Sequence, residues 1–388
     1  MSLALRYRPK TFADVTGQKL AVVPLYRMAR LGTMPSALLL SGKHGSGKTS
    51  TARIVGAALN CEAEDQPADK WPCGSCPSCE AVAAGNSLDV IEVDAASNGG
   101  VDAVRKLRDL VSYGSPGAWK LVLLDEAHAM SKDAFNALLK IFEEPPEHTL
   151  FVLLTTEPGK ILGTVVSRCM TFTFASIAPD AIARRLEHIC RFEQIDAEPA
   201  LLAEIASRAD GSMRDAVMLL DQAASTLVSE GLTLANFEKV FGQGDYVLPV
   251  VAAMAAGDYP GVYAALDGAL GQAGEPGAVI GKVADLLADL LTLRCGGSVT
   301  AQGMPLAARQ ELAARLDVPR LTRAMKALWD YQTRVRVEDR RAALKLAAVV
   351  VTEQLCPPRA QPVPPAAVNG NGHGETSLDD LRQALGAA

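Results

Sequence analysis

Apolar residues follow two alternating patterns up to about Phe174. Short continuous apolar runs of strand length recur, and each is followed by a segment whose apolar positions lie three or four residues apart. Strands that alternate with helices predict an α/β fold with a parallel sheet. The runs that predict buried strands are Ala37–Leu40, Leu88–Asp94, Lys120–Leu124 and Leu150–Thr156.

From about Ala175 the strand pattern disappears, and helical spacing predicts a small helical bundle followed by a longer all-α region, 246–356. A Pro-, Asn- and Gly-rich stretch, 357–376, then predicts a flexible linker before one short amphipathic helix, 377–385. The helices predicted for the bundle are 178–193, 198–208, 212–230 and 234–241. The domains predicted from these shifts are 1–175, 176–243, 244–356 and 357–388.

Composition limits the class of protein. Of 388 residues, 49% are apolar, yet no apolar run reaches the roughly 18 residues that a membrane span needs. The first residues lack the layout of a signal peptide, so we expect a cytoplasmic protein without a membrane partner. The formal net charge of −6 excludes a general basic field, and any contact with nucleic acid therefore needs a local patch or an assembled surface.

A glycine-rich segment of the form G-x-x-x-x-G-K-T lies between the first predicted strand and a helix. Its backbone N–H groups and the helix N-terminus are suited to a phosphate. We predict that Lys48 reaches the β- and γ-phosphates and that Thr49 holds Mg²⁺. An ordinary glycine-rich turn is the alternative, which the complete motif disfavours. The predicted nucleotide-binding residues here are Gly42, Lys43, His44, Gly45, Ser46, Gly47, Lys48, Thr49 and Ser50.

Two adjacent carboxylates end the third predicted strand. We predict that Asp125 coordinates Mg²⁺, directly or through water, and that Glu126 polarises the attacking water as general base. Because ligands bind at the carboxyl ends of parallel strands, we expect this pair to surround one phosphate together with Thr49 and Thr156. The two motifs together favour nucleotide hydrolysis over storage.

Four of the eight cysteines cluster just after the predicted phosphate-binding helix, in the pattern C-x₁₁-C-x₂-C-x₂-C. Four thiolates complete a closed tetrahedral zinc site, and a closed site is structural. An iron–sulfur cluster and unligated thiols are the alternatives. The insertion, about 61–80, is short and has little apolar shielding, which favours zinc. The predicted zinc ligands are Cys61, Cys73, Cys76 and Cys79.

A predicted helix after Asp94 carries three basic side chains, Arg105, Lys106 and Arg108. A solvated helix face is the simpler interpretation. A helix start with basic side chains can also bind phosphates, and Arg105 is the residue that we would choose for a DNA contact.

Further short segments match one family pattern together with the motifs above: Arg6–Pro9, Phe12–Gln18, Asp94–Asn98, Asn136–Lys140, Glu143–Pro146, Ser167–Cys169 and Gly211–Ala216. With these segments the chain resembles the gamma/tau clamp-loader subunits of bacterial DNA polymerase III, a family of AAA+ ATPases. The resemblance is dense over 3–242 and continues more weakly to about 356. The cysteine insertion separates this family from replication factor C, which shares the other motifs.

The resemblance implies roles for further residues. Thr156 matches sensor 1, beside the γ-phosphate, and Arg214 matches sensor 2, which reaches the nucleotide from the second domain. Arg168 matches the arginine finger, which acts on ATP bound to the neighbouring subunit. The residues implied to line the adenine and ribose pocket are Arg8, Pro9 and Val15.

The resemblance also implies an architecture: an AAA+ P-loop domain with a zinc insertion, a helical lid domain and an all-α collar that closes a five-subunit ring with delta and delta-prime subunits and further copies of this chain. ATP binding is expected to open a sliding clamp, and primer–template DNA to trigger the hydrolysis that releases it. ATP, Mg²⁺ and Zn²⁺ are the implied cofactors, and no polymerase active site is implied.

Two other functions stay open. A non-hydrolysing scaffold subunit is disfavoured by the intact Lys48 and Glu126 motifs. A different AAA+ DNA motor, such as a replication factor C-like loader or a branch-migration helicase, is disfavoured by the cysteine insertion and by Ser167–Cys169. Two departures from the family pattern weaken particular assignments: the long spacing before Cys73 makes Cys61 the least secure ligand, and the Asn98–Gly100 loop carries little charge.

Overall fold

The computed structural model describes residues 2–63, 66–67, 70–112, 117–242, 246–297, 299, 306–334 and 340–356. The predicted linker and C-terminal helix lie outside the described residues. The chain divides into two compact units, the first ending at Tyr246 and the second beginning at Val247, with Ser298–Arg309 grouped with the first. Among the described helices, none has the length and apolarity that crossing a membrane requires.

A parallel sheet forms the centre of the first unit, and the described residues give it five strands in the order β2-β3-β4-β1-β5. The predicted α/β fold with a parallel sheet is therefore confirmed. The three middle strands, β3, β4 and β1, are almost wholly buried, as strands covered by helices on both faces must be. The strands are β1 (Ala37–Gly42), β2 (Val90–Asp94), β3 (Lys120–Asp125), β4 (Thr149–Thr155) and β5 (Met170–Phe174).

Helices cover both faces of the sheet and produce two cores. One core joins the sheet to α2, α3 and α4 through residues such as Leu25, Val55 and Val82, and the other joins it to α6, α7 and α8 through Leu107, Leu138 and Val165, all buried. A short first helix, α1 (Leu3–Arg6), packs on the bundle that follows the sheet. The helices that accompany the sheet are α2 (Lys19–Leu31), α3 (Lys48–Leu59), α4 (Pro77–Ala84), α5 (Ala95–Asn98), α6 (Val101–Ser112), α7 (Lys132–Glu143) and α8 (Gly163–Val166).

The prediction of a buried strand over Leu88–Asp94 is wrong in two respects. The strand begins only at Val90, and Leu88 is 75% exposed. The strand also lies at the edge of the sheet, where it pairs with β3 alone among the described strands. An edge strand has a neighbour on one side only, so Ile91 and Val93 are half-buried and Glu92 is exposed.

Four helices after the sheet form the lid, with a core that includes Leu186, Ile205 and Phe237. The N-terminal residues pack on this bundle. The backbone N–H of Leu3 donates to Asp221 Oδ2 (3.0 Å), and the Tyr7 hydroxyl donates to Glu193 Oε1 (2.6 Å). The lid helices are α9 (Pro179–Glu193), α10 (Pro199–Arg208), α11 (Met213–Thr226) and α12 (Leu234–Phe241), so the third ends before the predicted residue 230.

The second unit is helical wherever the structure describes secondary structure in it. Its core contains apolar side chains from several helices, among them Met254, Leu287, Leu321 and Val351. The helices after Tyr246 are α13 (Leu248–Ala256), α14 (Tyr259–Ala273), α15 (Pro276–Arg294), α16 (Leu306–Arg315), α17 (Val318–Arg334) and α18 (Arg340–Leu355).

Candidate nucleotide site and cysteine cluster

The glycine-rich loop connects the end of β1 to the start of α3, as its sequence predicts. Gly42 has φ +146°, and a Cβ there would lie 2.2 Å from the Phe174 carbonyl oxygen. Gly47 has φ +103° and caps α3, so the helix begins at Lys48. Only glycine adopts these angles without strain, and a side chain at Gly42 would push the loop off the neighbouring strand.

Lys48 lies inside this loop, and its side chain is buried, with 5% of the residue exposed. Its ammonium group donates hydrogen bonds to the carbonyl oxygens of Gly42 (2.7 Å) and Lys43 (2.9 Å). Burial lowers the pKa of Lys48, and the carboxylates of Glu126 and Asp125 oppose that shift. The loop carbonyl oxygens thus hold a positive charge inside the loop, and this charge is available to a polyphosphate that binds there.

Thr49 and Asp125 come together although β4 lies between the strands that precede them. The Thr49 hydroxyl donates to Asp125 Oδ2 at 3.3 Å. A hydroxyl and a carboxylate side by side are hard oxygen ligands, which suit Mg²⁺. The chemistry of this pair therefore fits the metal that the sequence predicts.

Glu126 follows Asp125 in a left-handed conformation, with φ +48°, which turns its side chain out of the strand direction. Thr156 Oγ1 donates to Glu126 Oε2 at 3.3 Å, so two of the predicted catalytic residues are in contact. His44, on the glycine-rich loop, places Nδ1 3.5 Å from Glu126 Oε1. The loop, the end of β3 and the end of β4 therefore meet at one carboxylate.

His128 contacts the same carboxylate, although nothing in the sequence singled it out beyond its place two residues after Glu126. Its Nδ1 lies 3.2 Å from Glu126 Oε2 and 3.2 Å from Thr155 Oγ1. Its Nε2 lies 3.4 Å from Glu157 Oε1. The imidazole thus links Glu126 to the segment that carries Thr155 and Glu157, and it limits where the Glu126 side chain can turn.

Gln18 is a second residue whose part in the site the sequence analysis missed. It is 4% exposed, and its side-chain amide donates to the carbonyl oxygens of Ala175 (2.7 Å) and Ser46 (3.3 Å). The Ala175 N–H donates back to Gln18 Oε1 at 3.1 Å. Gln18 therefore ties the N-terminal arm, which we define as Arg8–Gln18, to the glycine-rich loop and to the end of β5.

The arm also carries the three residues expected at the base and ribose. Val15 lies against the loop, because a Cβ on Gly47 would be 3.7 Å from Val15 Cγ1. Pro9 is half-buried beside Arg8. Burial lowers the pKa of Arg8, and the charges of Arg53 and Arg214 lower it further.

Charges of both signs act on Arg8. Glu92 and Asp125 act on the Arg8 pKa in the opposite direction from the two arginines. Glu92 is already bound by Arg53, whose Nη2 donates to Glu92 Oε2 at 2.6 Å. Two guanidinium groups, those of Arg8 and Arg214, therefore remain to balance a polyanion.

The lid touches the glycine-rich loop directly. The Met213 N–H donates to the Gly45 carbonyl oxygen at 3.1 Å, and Lys43 forms an ion pair with Asp210. A Cβ on Gly45 would lie 1.9 Å from Ser212 Oγ and 3.3 Å from Arg214 Cβ. The exposed Arg214 side chain thus starts above the loop, where a bound phosphate would be within the reach of a long side chain.

Arg168 is not joined to this group of residues. Its guanidinium group donates to Glu143 Oε1 (2.8 Å) and to the Thr164 carbonyl oxygen (3.1 Å), on α7 and α8, and its side chain is 39% exposed. Arg105 lies on α6, but its side chain is outside what the structure describes.

The four predicted zinc ligands converge, with their sulfur atoms all within 4.8 Å of one another. Cys73 and Cys79 Sγ are 3.9 Å apart, close to the roughly 3.8 Å that two ligands of a tetrahedral zinc with 2.3 Å bonds would show. Backbone N–H groups of Cys76 and Cys79 point at Cys73 and Cys76 Sγ, respectively. The donor set and its spacing therefore fit zinc, with Cys61 included.

Two of these thiols differ in acidity. Burial opposes ionisation of Cys73, but hydrogen bonds from Ser75 and Cys76 outweigh it and lower its pKa to about 6. Burial raises the pKa of the Cys79 thiol. Cys79 Sγ also lies 3.9 Å from the Ala57 carbonyl oxygen, so the cluster rests on α3, the helix that begins at Lys48.

Replacing Cys79 with serine is expected to remove bound zinc and to destabilise the first unit. We expect metal analysis to fall from about one zinc per chain to none. We also expect the unfolding temperature to fall by about 4–8 °C, which corresponds to about 2 kcal/mol for a unit of this size. Cys295→Ser, at an exposed cysteine of the second unit, is the control and should keep both values. Full zinc content in Cys79→Ser would contradict the four-thiolate site.

The fold and the site define a class. A glycine-rich phosphate loop after β1, an Asp–Glu pair after β3 and a polar residue after the intervening β4, followed by a helical lid, describe a P-loop nucleotide-binding protein of the AAA+ type.

Comparisons with known proteins narrow this class to a family. Residues 17–178 match the family model described as DNA polymerase III, delta subunit, and residues 181–226 match that of the DNA polymerase III clamp loader subunit, ATPase lid domain. DNA polymerase III subunit tau of Bacillus subtilis is 47% identical over 56% of this chain and 38% of its own length. Subunit gamma/tau of Mycobacterium tuberculosis is 36% identical over 83% of this chain and 57% of its own length.

The chain belongs to the gamma/tau family of bacterial DNA polymerase III clamp-loader subunits. Subunit tau of Escherichia coli is 44% identical, and the match covers 58% of this chain and 34% of that subunit. The chain thus spans between about a third and somewhat more than half of the length of these relatives.

Solved structures with a similar fold are more distant. The Thermotoga maritima RuvB Holliday junction branch migration motor is 16% identical with a TM-score of 0.47, over 64% of this chain and 79% of that one. The Bacillus subtilis DNA clamp loader delta protein is 11% identical with a TM-score of 0.39, over 85% of this chain and 99% of that one. Likenesses at this level do not decide function.

Proposed function

We propose that this chain is an ATP-hydrolysing subunit of a bacterial clamp loader. ATP binding opens and holds a sliding clamp, and primer–template DNA triggers the hydrolysis that releases the clamp on DNA. The observation that supports this most is the convergence of Lys48, Thr49, Asp125 and Glu126 at the carboxyl ends of β1 and β3, in a chain of the gamma/tau family.

In this proposal the loop Gly42–Ser50 binds the triphosphate through its backbone N–H groups, and Lys48 moves its ammonium group from the loop carbonyls to the β- and γ-phosphates. Thr49 and Asp125 hold Mg²⁺, which would neutralise charge on the phosphate oxygens. Glu126 takes the proton of the attacking water as general base.

Thr156 and Arg214 contact the phosphates of the same nucleotide, Thr156 from the end of β4 and Arg214 from the lid. Thr156 hydrogen-bonds Glu126 and lies at the end of β4. It would therefore contact both the γ-phosphate and Glu126, the general base. Arg214 reaches the phosphates from the lid. The arm contributes Arg8, Pro9 and Val15 to the adenine and ribose pocket.

Arg168 acts on the nucleotide of a neighbouring subunit. Its ion pair with Glu143 on the same chain supports an outward position on the surface of the first unit, away from the local phosphate loop. Hydrolysis therefore depends on assembly, with the proposed collar over 244–356 joining the chain to delta, delta-prime and further copies of itself. The proposed P-loop and lid domains are 1–175 and 176–243, and 357–388 follows the collar.

The test is reconstitution of the chain with delta-type and delta-prime-type subunits, the sliding clamp and primed DNA. We expect slow ATP turnover by the chain alone, faster turnover when all components are present, and transfer of labelled clamp onto DNA. Clamp transfer that proceeds equally well without ATP would contradict the proposal. Full ATP turnover by the isolated chain, indifferent to partners and DNA, would also contradict it.

A further inference from the structure

We propose that Trp71 is a positioning residue that couples the cysteine cluster to the N-terminal arm, so that the metal state of the cluster sets the affinity for the nucleoside part of ATP. The inference rests on the proposed function, because it assumes that ATP binds against the arm. It adds a connection that neither the P-loop nor the four-thiolate pattern implies.

Trp71 belongs to the cysteine insertion and is buried in the core that the insertion shares with α2 and α3. It lies two residues before Cys73, and only 5% of it is exposed. Its ring stacks on Phe12, with ring centres 5.9 Å apart and planes 25° apart. The guanidinium group of Arg30, on α2, lies 5.2 Å from the centre of the Trp71 ring. A large side chain of the insertion is thus fixed by the arm and by the helix that follows it.

Tyr26 completes a cluster of three rings. Its ring meets Phe12 and Trp71 edge-on, with ring centres 5.6 Å apart in both pairs. Edge-to-face and offset-stacked rings have preferred geometries, so a displacement of one ring disturbs the other two. A displacement of Trp71 would therefore also displace Phe12, in addition to exposing apolar surface.

Phe12 passes this position to the nucleotide site. It is buried in a short helical turn, Phe12–Asp14, whose ends are closed by hydrogen bonds between Thr11 and Asp14. The next residue, Val15, lies against Gly47 of the phosphate loop. A turn this short and closed moves as one piece, so a shift of the Phe12 ring moves Val15.

The arm has two other attachments, which separate the effect of Trp71 from folding. Immediately before the arm, Tyr7 is held to the lid through Glu193, and at its end Gln18 is held to Ala175. Between these points, the ring stack on Trp71 is an aromatic tether of the segment that carries Val15. Loss of Trp71 should therefore loosen the middle of the arm and leave its ends in place.

The metal adds a further restraint on Trp71, through the cysteines that follow it in the chain. Cys73 and Cys79 frame the turn that follows Trp71, and Cys79 rests on α3. Four ligands on one ion fix the turn relative to α3. Free thiols would leave Trp71 tethered by its ring contacts alone.

Loss of Trp71 should weaken the binding of the nucleoside part of ATP but not the binding of its phosphates. The triphosphate is bound by the loop Gly42–Ser50, whose conformation is set mainly by its own glycines and by α3, whereas the base and ribose depend on the arm. We therefore expect Trp71→Ala to weaken ATP binding about tenfold and to leave the binding of inorganic tripolyphosphate within about twofold. Turnover at saturating ATP in the reconstituted complex should stay within about twofold, so KM rises and kcat does not.

The experiment uses the full chain with its metal and measures zinc content, ATP and tripolyphosphate binding, and hydrogen exchange of the arm. In Trp71→Ala we expect about one zinc per chain, the tenfold loss of ATP affinity and faster exchange over residues 8–18. Trp71→Phe keeps a ring on Phe12 and should stay within about threefold of the wild type. Val82→Ala, which removes two methyl groups from the same core but no ring of the stack, should bind ATP as the wild type does.

Removal of the zinc with a zinc-selective chelator, followed by ATP binding measured in buffer with excess Mg²⁺, tests the coupling. On loss of zinc, the wild type should lose about as much ATP affinity as the substitution Trp71→Ala removes. The Trp71→Ala chain should lose little more, because both changes break the same connection between the cysteine cluster and the arm. If Trp71→Ala does not fold, Tyr26→Leu, which removes the edge contacts to both rings, is measured in its place with the same expectations.

Each outcome decides between the two proposals. Wild-type affinity for ATP in a folded Trp71→Ala, or equal losses on chelation in wild type and variant, overturns this inference alone. A wild-type chain that binds neither ATP nor tripolyphosphate overturns the proposed function and this inference with it.

Discussion

Replacing Glu126 with glutamine is expected to lower ATP hydrolysis by the reconstituted complex by about 10²–10⁴-fold while ATP affinity stays within about threefold. Glutamine has nearly the same shape and can keep the contact with Thr156, but it does not accept a proton from water at neutral pH. The measurement is steady-state turnover with primed DNA and clamp, together with equilibrium ATP binding.

Glu157→Gln is the matched control for this result. Glu157 is also a carboxylate in contact with His128, through the other ring nitrogen, and it is more exposed than Glu126. Its loss should change turnover by less than about threefold. Equal turnover in wild type and Glu126→Gln would show that Glu126 is not the general base.

Replacing Arg168 with alanine is expected to reduce DNA-stimulated hydrolysis by about 10³-fold or more, because an arginine supplied to a neighbouring site stabilises charge that develops on the transferred phosphoryl group. ATP binding by the altered chain itself should be unchanged, since Arg168 bonds Glu143 and Thr164 rather than the local phosphate loop. Stability should change by at most about 1 kcal/mol, as is usual for an exposed ion pair.

Arg191→Ala removes another exposed arginine held by a glutamate, Glu187, and should leave hydrolysis as it is. Glu143→Gln offers a second comparison, because it frees Arg168 without removing it and should preserve hydrolysis. Loss of ATP binding by the Arg168→Ala chain would place this arginine in its own nucleotide site and contradict action on a neighbour.

Motifs whose residues are close in the chain were predictable, because local geometry decides them. The glycines at 42 and 47 have the positive φ angles that a phosphate loop needs, and the loop leads from strand to helix as expected. The cysteine spacing placed four sulfurs around one point. The helix Lys19–Leu31 ends at a left-handed Gly32, which is a local signal for a helix end.

The apolar pattern gave a wrong prediction where the burial of a strand depends on its neighbours in the sheet. An apolar run predicted a buried strand over Leu88–Asp94, but the run lies at the sheet edge, where one side has no strand among the described residues. Strand order is a property of the whole sheet, and apolar content alone does not reveal it.

The sequence by itself determined which groups are available for nucleotide and metal chemistry: the phosphate loop, the Asp125–Glu126 pair and the four thiols. Only the tertiary structure decided which of them meet. The rule that ligands bind at strand ends predicted that Thr156 and Glu126 share one edge of the sheet, and the strand order β3-β4-β1 decided that the two side chains touch. The tertiary structure also carried Gln18 to Ala175 and Trp71 to Phe12. These contacts join distant parts of the chain, so they arise from the packing of helices on a sheet, which no local pattern of residues encodes.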